Sequence, residues 1–445
     1  MSLTKIHPDS WGYYASEVAD GREDYYQESE IPGRFLGRGA RVLGIRGDEV
    51  STEALERLFG HGTDPRDGRS LGESFDGRKN AVAGFAVTFS PPKSISALWA
   101  VGPTHISDEV TKAHLVAMEE AFGFLEENAS FTRRGRNGVH QIDTEGFLAA
   151  SFTHRTSRAA DPQLHTHVLV ANKVRAKDGK WLSIDGRELF SHQMAAGMLY
   201  KAALRAELTR RLGVSWTAVD EKGIAEIVGV PEALIEAWSK RRRQVEQMGA
   251  RLISEKEARK GRTLSPNERA RCFQLAAYRT RAPKVEAQTP TAELRARWTE
   301  EAEAWGHAPK NWVPALARNR SRQPKLSSVK ILSLAVARLE DKAATWARAE
   351  AVEVLSTLVS GTSAKEVRET LDSLAARLIR HPEVTSLASP LPASPPESLR
   401  RRDGMAVVER HGGTRYTTKQ TLFREAFILE SAEKGRDANV AIVTG

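Results

Sequence analysis

The chain has 445 residues, 40% hydrophobic and 28% charged, which is typical of a soluble globular protein with two or three domains. Its 66 Lys and Arg exceed its 57 Asp and Glu, and the resulting net charge of +9 favours a polyanionic partner. The single cysteine, Cys272, excludes an internal disulfide framework and a cysteine-based zinc site. The sequence has no secretory signal and no apolar run long enough to span a bilayer, which indicates a cytoplasmic protein without membrane insertion.

Four of the seven tyrosines lie in the first 30 residues, as the pairs Tyr13-Tyr14 and Tyr25-Tyr26. Tyrosines often pack one ring face against a helix and leave the hydroxyl in water. A tyrosine hydroxyl can also act as a covalent nucleophile when its proton is removed during attack. The residues alone leave both interpretations open.

Residues 82–90 read as a buried strand that ends at Pro91-Pro92 and is followed by a helix from Lys93 to about residue 101. Backbone amides at the helix start, aided by Lys93, could hold a phosphate, although a simply capped helix explains the pattern equally well. An amphipathic helix is predicted over residues 106–128. A basic hairpin turn follows at residues 133–138, where Arg133, Arg134 and Arg136 could contact backbone phosphates.

Three histidines lie on two consecutive strand-like segments. Residues 146–155 and 165–172 alternate apolar and polar side chains, which predicts two strands, and the polar stretch between them predicts a hairpin. Side chains two apart share a face of a strand, so His165 and His167 lie side by side and His154 approaches from the neighbouring strand. A lone histidine on a sheet is usually satisfied by hydrogen bonds, whereas three converging imidazoles favour a metal ion. Ligand type alone suggests zinc, copper, iron or nickel rather than magnesium.

The pattern of the residues after these strands predicts that the sheet is antiparallel and flanked by helices. The predicted fold class is therefore α+β. A hairpin through Asp178-Gly179 is followed by an Ala- and Leu-rich helix over about residues 190–212.

Positive charge is concentrated in residues 240–284, which hold fourteen Lys or Arg and four Glu. This local net charge of +10 exceeds the charge of the whole chain. A run of charge is usually a solvated helix face, but this imbalance favours contact with nucleic acid. Trp238, Phe273 and Tyr278 could stack on unpaired bases. The arginines expected to contact DNA here are Arg241, Arg242, Arg243 and Arg281.

Composition shifts after residue 290 and suggests four regions. We expect a first domain over residues 1–290 that includes the basic helices, a helical region over 291–385, and a Pro- and Ser-rich linker over 386–398. Residues 399–445 read as the start of a further, truncated domain, and no phosphate-binding loop of the form GxxxxGK[ST] occurs.

Several separated motifs resemble those of the conjugative relaxases of the TrwC/TraI type, within the HUH endonucleases. They are His-Arg-Thr-Ser-Arg at residues 154–158, Asp-Pro-Gln-Leu-His-Thr-His at 161–167, Thr-Phe-Ser-Pro-Pro-Lys-Ser at 88–94, and the tyrosine pairs. The resemblance covers about residues 1–285 and implies the palm-like antiparallel sheet of the HUH relaxase fold, followed by a mostly helical region. Residues 415–419 and the helix after them resemble the segment that leads into the helicase part of such relaxases.

The resemblance implies metal-dependent, site- and strand-specific nicking and rejoining of DNA at an origin of transfer, through a 5′-phosphotyrosyl link. It gives the first attack to Tyr13, with Tyr14 as the local alternative and Tyr25 or Tyr26 for a second transfer. The implied partners are single-stranded DNA, an origin-of-transfer hairpin, accessory relaxosome proteins and a coupling protein.

In relaxases of this type the three matching histidines hold a divalent metal ion. The resemblance suggests Mg²⁺ or Mn²⁺, with Zn²⁺ or Ni²⁺ as alternatives. The family usually has an acidic residue at the position of Ala86, where it orients a metal histidine or accepts the tyrosine proton. Here Asp143, Glu145 or Asp161 could substitute, the role could be dispensable, or the change could be inactivating.

Two other functions remain open from the sequence. A rolling-circle replication initiator would use the same chemistry at a different DNA site. A DNA-binding accessory protein would use the histidines to hold a structural ion and would form no covalent adduct.

Overall fold

The computed structural model describes residues 1–14, 32–75, 77–78, 80–281, 289–316, 326–388 and 394–437. The strands are β1 (Ser2–Ile6), β2 (Arg34–Leu36), β3 (Gly84–Phe89), β4 (Phe131–Arg134), β5 (His140–Asp143), β6 (Ala149–Thr156), β7 (Pro162–Ala171), β8 (Val174–Arg175), β9 (Trp181–Leu182), β10 (Val384–Ser386) and β11 (Tyr416–Thr418). The helices are α1 (Trp11–Tyr14), α2 (Arg38–Val42), α3 (Thr52–Leu55), α4 (Lys93–Val101), α5 (Thr104–Ala129), α6 (Gly186–Leu212), α7 (Glu232–Ala237), α8 (Lys240–Lys260), α9 (Pro266–Arg279), α10 (Thr291–Ala304), α11 (Pro309–Leu316), α12 (Ser328–Lys342), α13 (Arg348–Ser356), α14 (Ala364–Leu378) and α15 (Lys419–Asp437).

A five-stranded sheet in the order β1-β3-β7-β6-β2 forms the centre of the fold, and every neighbouring pair is antiparallel. The predicted α+β class, with helices flanking an antiparallel sheet, is confirmed. The hairpin predicted from the histidine segments is β6 and β7, which pair in register with His154 opposite His165. The central position of β7 therefore places the histidines in the middle of the sheet.

The two faces of the sheet bury different hydrophobic clusters, as the period-two pattern requires. One face, with Val168 and Val170, joins a large core formed with helices α4, α5 and α6. The other face, with Leu148, Ala150 and Leu169, packs against the segment from residue 40 to residue 75. His154, His165 and His167 alternate onto this second face, beyond the end of its apolar cluster.

The remaining predicted elements of the first 290 residues are also present. The basic turn joins β4 to β5, and the turn at Asp178-Gly179 joins β8 to β9. The predicted helices correspond to α4, α5 and α6. Among the helices of the described residues, none combines the length and apolar composition needed to cross a lipid bilayer.

Helices α8 and α9 form an antiparallel pair, and together with the two residues that follow α9 we call them the arm (residues 240–281). A small apolar cluster of Leu252, Ile253, Leu264, Cys272 and Ala276 holds its two helices together. Helix α9 begins with a capping box, in which Ser265 and Glu268 satisfy each other's backbone amides. The arm therefore has its own internal packing, separate from the clusters of the sheet.

Helices α10 to α14 pack on the same hydrophobic core as helices α4, α5 and α6, which flank the sheet. Trp298 of α10, Leu355 of α13 and Leu371 of α14 are buried in the cluster that contains Val168. Residues before and after position 290, the predicted end of the first domain, thus contribute to this cluster.

Candidate active site

The three histidines converge on one face of the sheet. The ring centroids of His154 and His165 lie 5.3 Å apart, those of His154 and His167 lie 5.2 Å apart, and those of His165 and His167 lie 5.0 Å apart. Each of the three residues is half-buried. The two neighbouring strands thus bring His154 next to His165 and His167, which lie eleven and thirteen residues later in the chain.

This spacing fits a shared metal ion. Three imidazoles whose ring centroids lie about 5 Å apart are close enough for one nitrogen of each to bind the same ion. Within the described residues, no group of three or more His, Cys, Asp or Glu side chains forms a complete metal site as placed. The spacing of the three ring centroids, rather than a complete ligand geometry, is thus what supports a shared ion.

Hydrogen bonds to the Nδ1 atoms hold two of these rings. Nδ1 of His165 lies 2.8 Å from the carbonyl oxygen of Gln163, which can only accept, so this nitrogen carries the proton. Nδ1 of His167 lies 2.9 Å from the hydroxyl of Thr88 on β3. Such outer partners fix the orientation of a ligating imidazole and leave the lone pair on Nε2 for the metal.

The position of Ala86 lies inside the apolar part of the same face. Ala86 is 4% exposed and pairs with Leu169 in the sheet. The three carboxylates suggested as substitutes have basic partners outside the histidine group. Asp143 accepts from the backbone of Arg402, Glu145 pairs with Arg175, and Asp161 pairs with Lys240. The hydroxyl of Thr88 on β3 is a polar group that reaches His167.

Tyr13 lies against the turn that joins the two histidine strands. Nη2 of Arg158, in this turn, donates to the phenol oxygen of Tyr13 at 2.7 Å. The guanidinium carbon of Arg281 lies 4.6 Å from the centroid of the Tyr13 ring. Of the other predicted nucleophiles, the side chain of Tyr14 and both Tyr25 and Tyr26 lie outside the described residues.

Lys93 contacts the start of β7. Its ammonium group donates to the carbonyl of Pro162 at 3.0 Å and to the side chain of Gln163 at 2.8 Å. Burial lowers the pKa of Lys93 to about 8, against the opposing effect of Asp161. These contacts favour a role in holding the β6–β7 turn, and phosphate binding by Lys93 stays a prediction.

The other basic residues predicted to contact DNA divide into exposed and internally bonded groups. In the β4–β5 hairpin, Arg133 lies near Asp185, Arg134 pairs with Asp178, and Arg136 is exposed. In the arm, Arg242 is exposed and pairs with Glu246.

Two more arginines of the arm bond to backbone carbonyls. Arg243 donates to Glu236, and Arg241 donates to Ala277 and Thr280.

The sequence did not predict a role for Arg158 in the site, although this residue lies within the His-Arg-Thr-Ser-Arg motif. Arg158 lies four residues after His154, in the turn of the hairpin. A side chain at such a position can reach the same site as the histidine.

Comparison with known proteins gives a consistent assignment. A family model described as TrwC relaxase matches residues 8–305. Two proteins named multifunctional conjugation protein TraI, from Escherichia coli strain K12 and from Escherichia coli, are 33% identical over 258 residues and 34% identical over 257 residues. Each match covers 56% of this chain and 14% of the relative, so the chain corresponds to a small part of these longer proteins.

Solved structures of a conjugative relaxase share the fold. TrwC in complex with oriT DNA, in a metal-bound form, has a TM-score of 0.55 and 28% identity, covering 68% of this chain and 98% of that chain. TrwC bound to a 27-mer DNA with the recognition hairpin and the cleavage site has a TM-score of 0.53 and 26% identity, with the same coverage. Because the family model matches more than half of its length and the motifs, sheet and solved structures agree, this chain belongs to the TrwC relaxase family.

Proposed function

We propose that this chain nicks and rejoins one DNA strand at a specific site, as the first step of conjugative plasmid transfer from an origin of transfer. The observation that carries the proposal is the placement of Tyr13 against the turn between the strands that bear His154, His165 and His167. The comparisons favour this function over rolling-circle initiation, because the similar structures are conjugative relaxases bound to oriT DNA.

The proposed reaction is a transesterification. The phenol oxygen of Tyr13 attacks the scissile phosphorus in line with the bridging oxygen, the P–O3′ bond breaks, and a 5′-phosphotyrosyl link and a 3′ hydroxyl form. The phenol loses its proton and the 3′ oxygen gains one, so the step is balanced without any cosubstrate. Reverse attack by a 3′ hydroxyl rejoins the strand. Tyr14 is the local alternative nucleophile, and Tyr25 or Tyr26 is proposed for a second transfer.

His154, His165 and His167 are the residues proposed to hold a divalent metal ion. Three neutral imidazoles leave the charge of such an ion undiminished, and a bound ion would stabilise the negative charge on the nonbridging phosphate oxygens. Mg²⁺ or Mn²⁺ is the proposed native ion, with Zn²⁺ or Ni²⁺ as alternatives. The solved relatives include metal-bound and copper-bound forms of TrwC, which supports a divalent site without selecting one metal.

The proposed substrate is single-stranded DNA next to an origin-of-transfer hairpin. The basic residues of the arm and of the β4–β5 turn would contact its backbone, with Arg242 and Arg136 exposed for this role. Accessory relaxosome proteins and a coupling protein are proposed further partners, and the cytoplasm is the proposed site of action.

A covalent capture experiment tests the function. The protein is incubated with a random single-stranded DNA library and Mg²⁺ or Mn²⁺, adducts are selected on denaturing gels, and the selected site and adducted peptide are sequenced. We expect a metal-dependent adduct on the peptide that contains Tyr13, abolished by chelation and reduced at least about a hundredfold by Tyr13→Phe. DNA binding without any adduct would instead support a binding protein with a structural ion.

A further inference from the structure

The arm, the β6–β7 turn and Tyr13 are joined by a closed series of contacts. We propose that the arm positions Tyr13 through Arg281, and that Asp161 fixes the base of the arm to the turn between the histidine strands. This inference rests on the proposed role of Tyr13 as the nucleophile. Arg281 and Asp161 would then be positioning residues for the reaction.

The first contact joins the turn to the start of the arm. One carboxylate oxygen of Asp161 accepts the backbone amide of Lys240, the first residue of α8, at 2.9 Å. Its other oxygen lies 3.3 Å from the ammonium group of the same lysine. A carboxylate at this position satisfies an amide that has no partner within the helix and interacts favourably with the helix dipole.

Asp161 is buried, which makes this contact costly to break. The residue is 1% exposed, and burial raises the pKa of its carboxyl against the opposing effects of Lys93 and Lys240. A buried carboxylate is tolerated only when cations and amide groups compensate for the lost hydration. This contact therefore ties the start of α8 to the turn between the histidine strands.

The second contact joins the two ends of the arm. Arg241, next to Lys240, donates to the backbone carbonyl of Thr280 at 2.6 Å, to its hydroxyl at 2.7 Å, and to the carbonyl of Ala277 at 2.6 Å. These three acceptors lie in the last turn of α9 and at its end. The start of α8 and the end of α9 thus move together.

The third contact brings the arm to the nucleophile. Arg281 directly follows Thr280, and its guanidinium stacks over the Tyr13 ring at 4.6 Å, within the range of a cation–π interaction. Arg158 holds the phenol oxygen from the turn. Tyr13 is therefore held at its ring by the arm and at its hydroxyl by the turn, and Asp161 sets the relation between these two supports.

The charges around Tyr13 connect this arrangement to DNA. Burial, and after it the positive charge of Arg158, lowers the pKa of Arg241 at the start of the arm. Arg158 and Arg281 place two positive charges next to the Tyr13 side chain. A DNA phosphate that approaches the hydroxyl of Tyr13 would therefore meet both of these charges.

A readout that needs no DNA cleavage tests the positioning directly. 3-Fluorotyrosine is incorporated at position 13, and its ¹⁹F resonance is recorded in the full chain without DNA. We expect Arg281→Ala and Asp161→Asn each to shift or broaden the signal. Arg377→Ala, which removes the same charge from an exposed site on α14, should leave it unchanged. Identical spectra for all four proteins would overturn the proposal whether or not the chain cleaves DNA.

Single-turnover kinetics then test the effect on the reaction. At saturating oligonucleotide, Arg281→Ala and Asp161→Asn should lower the rate of adduct formation by about ten- to a hundredfold, because misplacement of a reacting group by about 1 Å can cost this much. Arg281→Lys should recover more of the rate than Arg281→Gln, since only lysine keeps the charge over the ring.

Thermal unfolding and fluorescence anisotropy separate positioning from other effects. We expect the variants to keep a folded state at the assay temperature and DNA affinity within about fivefold of the parent, as expected from the loss of one phosphate contact at most. A normal rate at saturating DNA with weaker binding would show that Arg281 and Asp161 serve DNA affinity alone and would contradict the proposal. Absence of an adduct with the unsubstituted chain would count against the proposed function, while the ¹⁹F result would still decide the positioning.

Discussion

The hydroxyl of Thr88 orients one imidazole of the histidine group. It lies 2.9 Å from Nδ1 of His167, in a register where the two residues face each other across β3 and β7. A hydroxyl can both donate and accept, so it supports the ring without adding negative charge to the site. The metal would therefore keep more of its charge than with a carboxylate at this position.

Replacing Thr88 tests this support. Thr88→Val removes the hydrogen bond while keeping the shape, and we expect Mn²⁺ affinity to fall about tenfold, the lower range for loss of an outer partner of a metal ligand. Isothermal titration calorimetry measures the affinity. Thr88→Ser keeps the hydroxyl and should bind Mn²⁺ within about threefold of the parent. Equal affinity for the valine and serine variants would show that His167 needs no such partner.

At the residue scale, local spacing predicted part of the site and long-range contacts supplied the rest. The convergence of His165 and His167 follows from strand periodicity, and that of His154 from a short hairpin. The contact between Arg281 and Tyr13 joins residues far apart in the chain, and it depends on how the arm returns to the sheet. No local pattern encodes that return. The sequence predicted that Lys93 helps to hold a phosphate, whereas its hydrogen-bond partners in the fold lie at the start of β7.

On the face opposite the histidines, a network of hydrogen bonds connects strand β7 to the helices. The hydroxyl of Thr166, between the two histidines of this strand, lies 2.7 Å from Nε2 of His114 and 2.9 Å from the hydroxyl of Thr153. Nδ1 of His114 lies 2.7 Å from the hydroxyl of Tyr200 on α6. His114 and Tyr200 are fully buried, so this network ties α5, α6, β6 and β7 together without water.

Removing one hydroxyl measures how much this hydrogen-bond network contributes to the free energy of unfolding. Tyr200→Phe leaves a buried imidazole nitrogen without its partner, and we expect a loss of about 1–3 kcal/mol in the free energy of unfolding. Urea denaturation monitored by circular dichroism gives this value. Tyr278→Phe, at a residue that is 73% exposed, should change stability by less than about 0.5 kcal/mol. A similar small change for both variants would mean that the buried network contributes little.

A segment near the end of the described chain packs on β5. The amide of Gln141 donates to the carbonyl of Val407, and its side-chain oxygen accepts the amide of His411. Arg410 donates to Glu188, whose side chain is 1% exposed. This contact was not predictable, because residues 386–398 read as a linker and nothing in the composition of the following segment indicates a partner.

Arg410→Ala tests the contribution of this segment. The substitution removes the cation from a buried carboxylate, but Arg410 itself is 45% exposed and Gln141 still donates to Glu188. We therefore expect a loss of about 1–2 kcal/mol, below the range for a fully buried pair. Arg377→Ala, on an exposed part of α14, serves as the control in the same urea titration. If both substitutions have the same small effect, the segment does not stabilise the sheet domain through this pair.

At the scale of the molecule, the antiparallel class and the helical elements could be predicted, but the strand order could not. Pairing of β1 with β3 joins residues 2–6 to residues 84–88, and no short turn connects them. Helices α12, α13 and α14 lie within the helical region that was predicted over residues 291–385. Ser327 and Ser363 act as N-caps of the first and third, and such local signals mark helix starts better than composition does.

The stability of the whole fold should depend on pH through two buried histidines. Burial lowers the pKa of His114 to about 3 and that of His192 to about 4, below the ordinary value near 6.5. Besides burial, the charge of His165 lowers the pKa of His114, which faces Tyr200 and Thr166. The carbonyl of Glu188 favours protonated His192, but burial and the charges of His411, Arg348 and Arg410 outweigh it. Both imidazoles are therefore neutral in the folded chain at mildly acidic pH.

The sign of the effect follows from proton binding. Between about pH 6.5 and 4 the unfolded chain binds protons at His114 and His192 that the folded chain does not, so stability falls as the pH is lowered, by up to about 1.4 kcal/mol per pH unit for each histidine. Unfolded carboxyl groups titrate mainly below this range, so from pH 6.5 to 5 we expect a loss of about 2–4 kcal/mol in urea titrations with chelator present. His114→Gln should reduce this slope by about half, because it removes one of the two titrating groups. A slope that is flat in the parent, or equal in the variant, would show that these rings are protonated in the folded protein despite their burial.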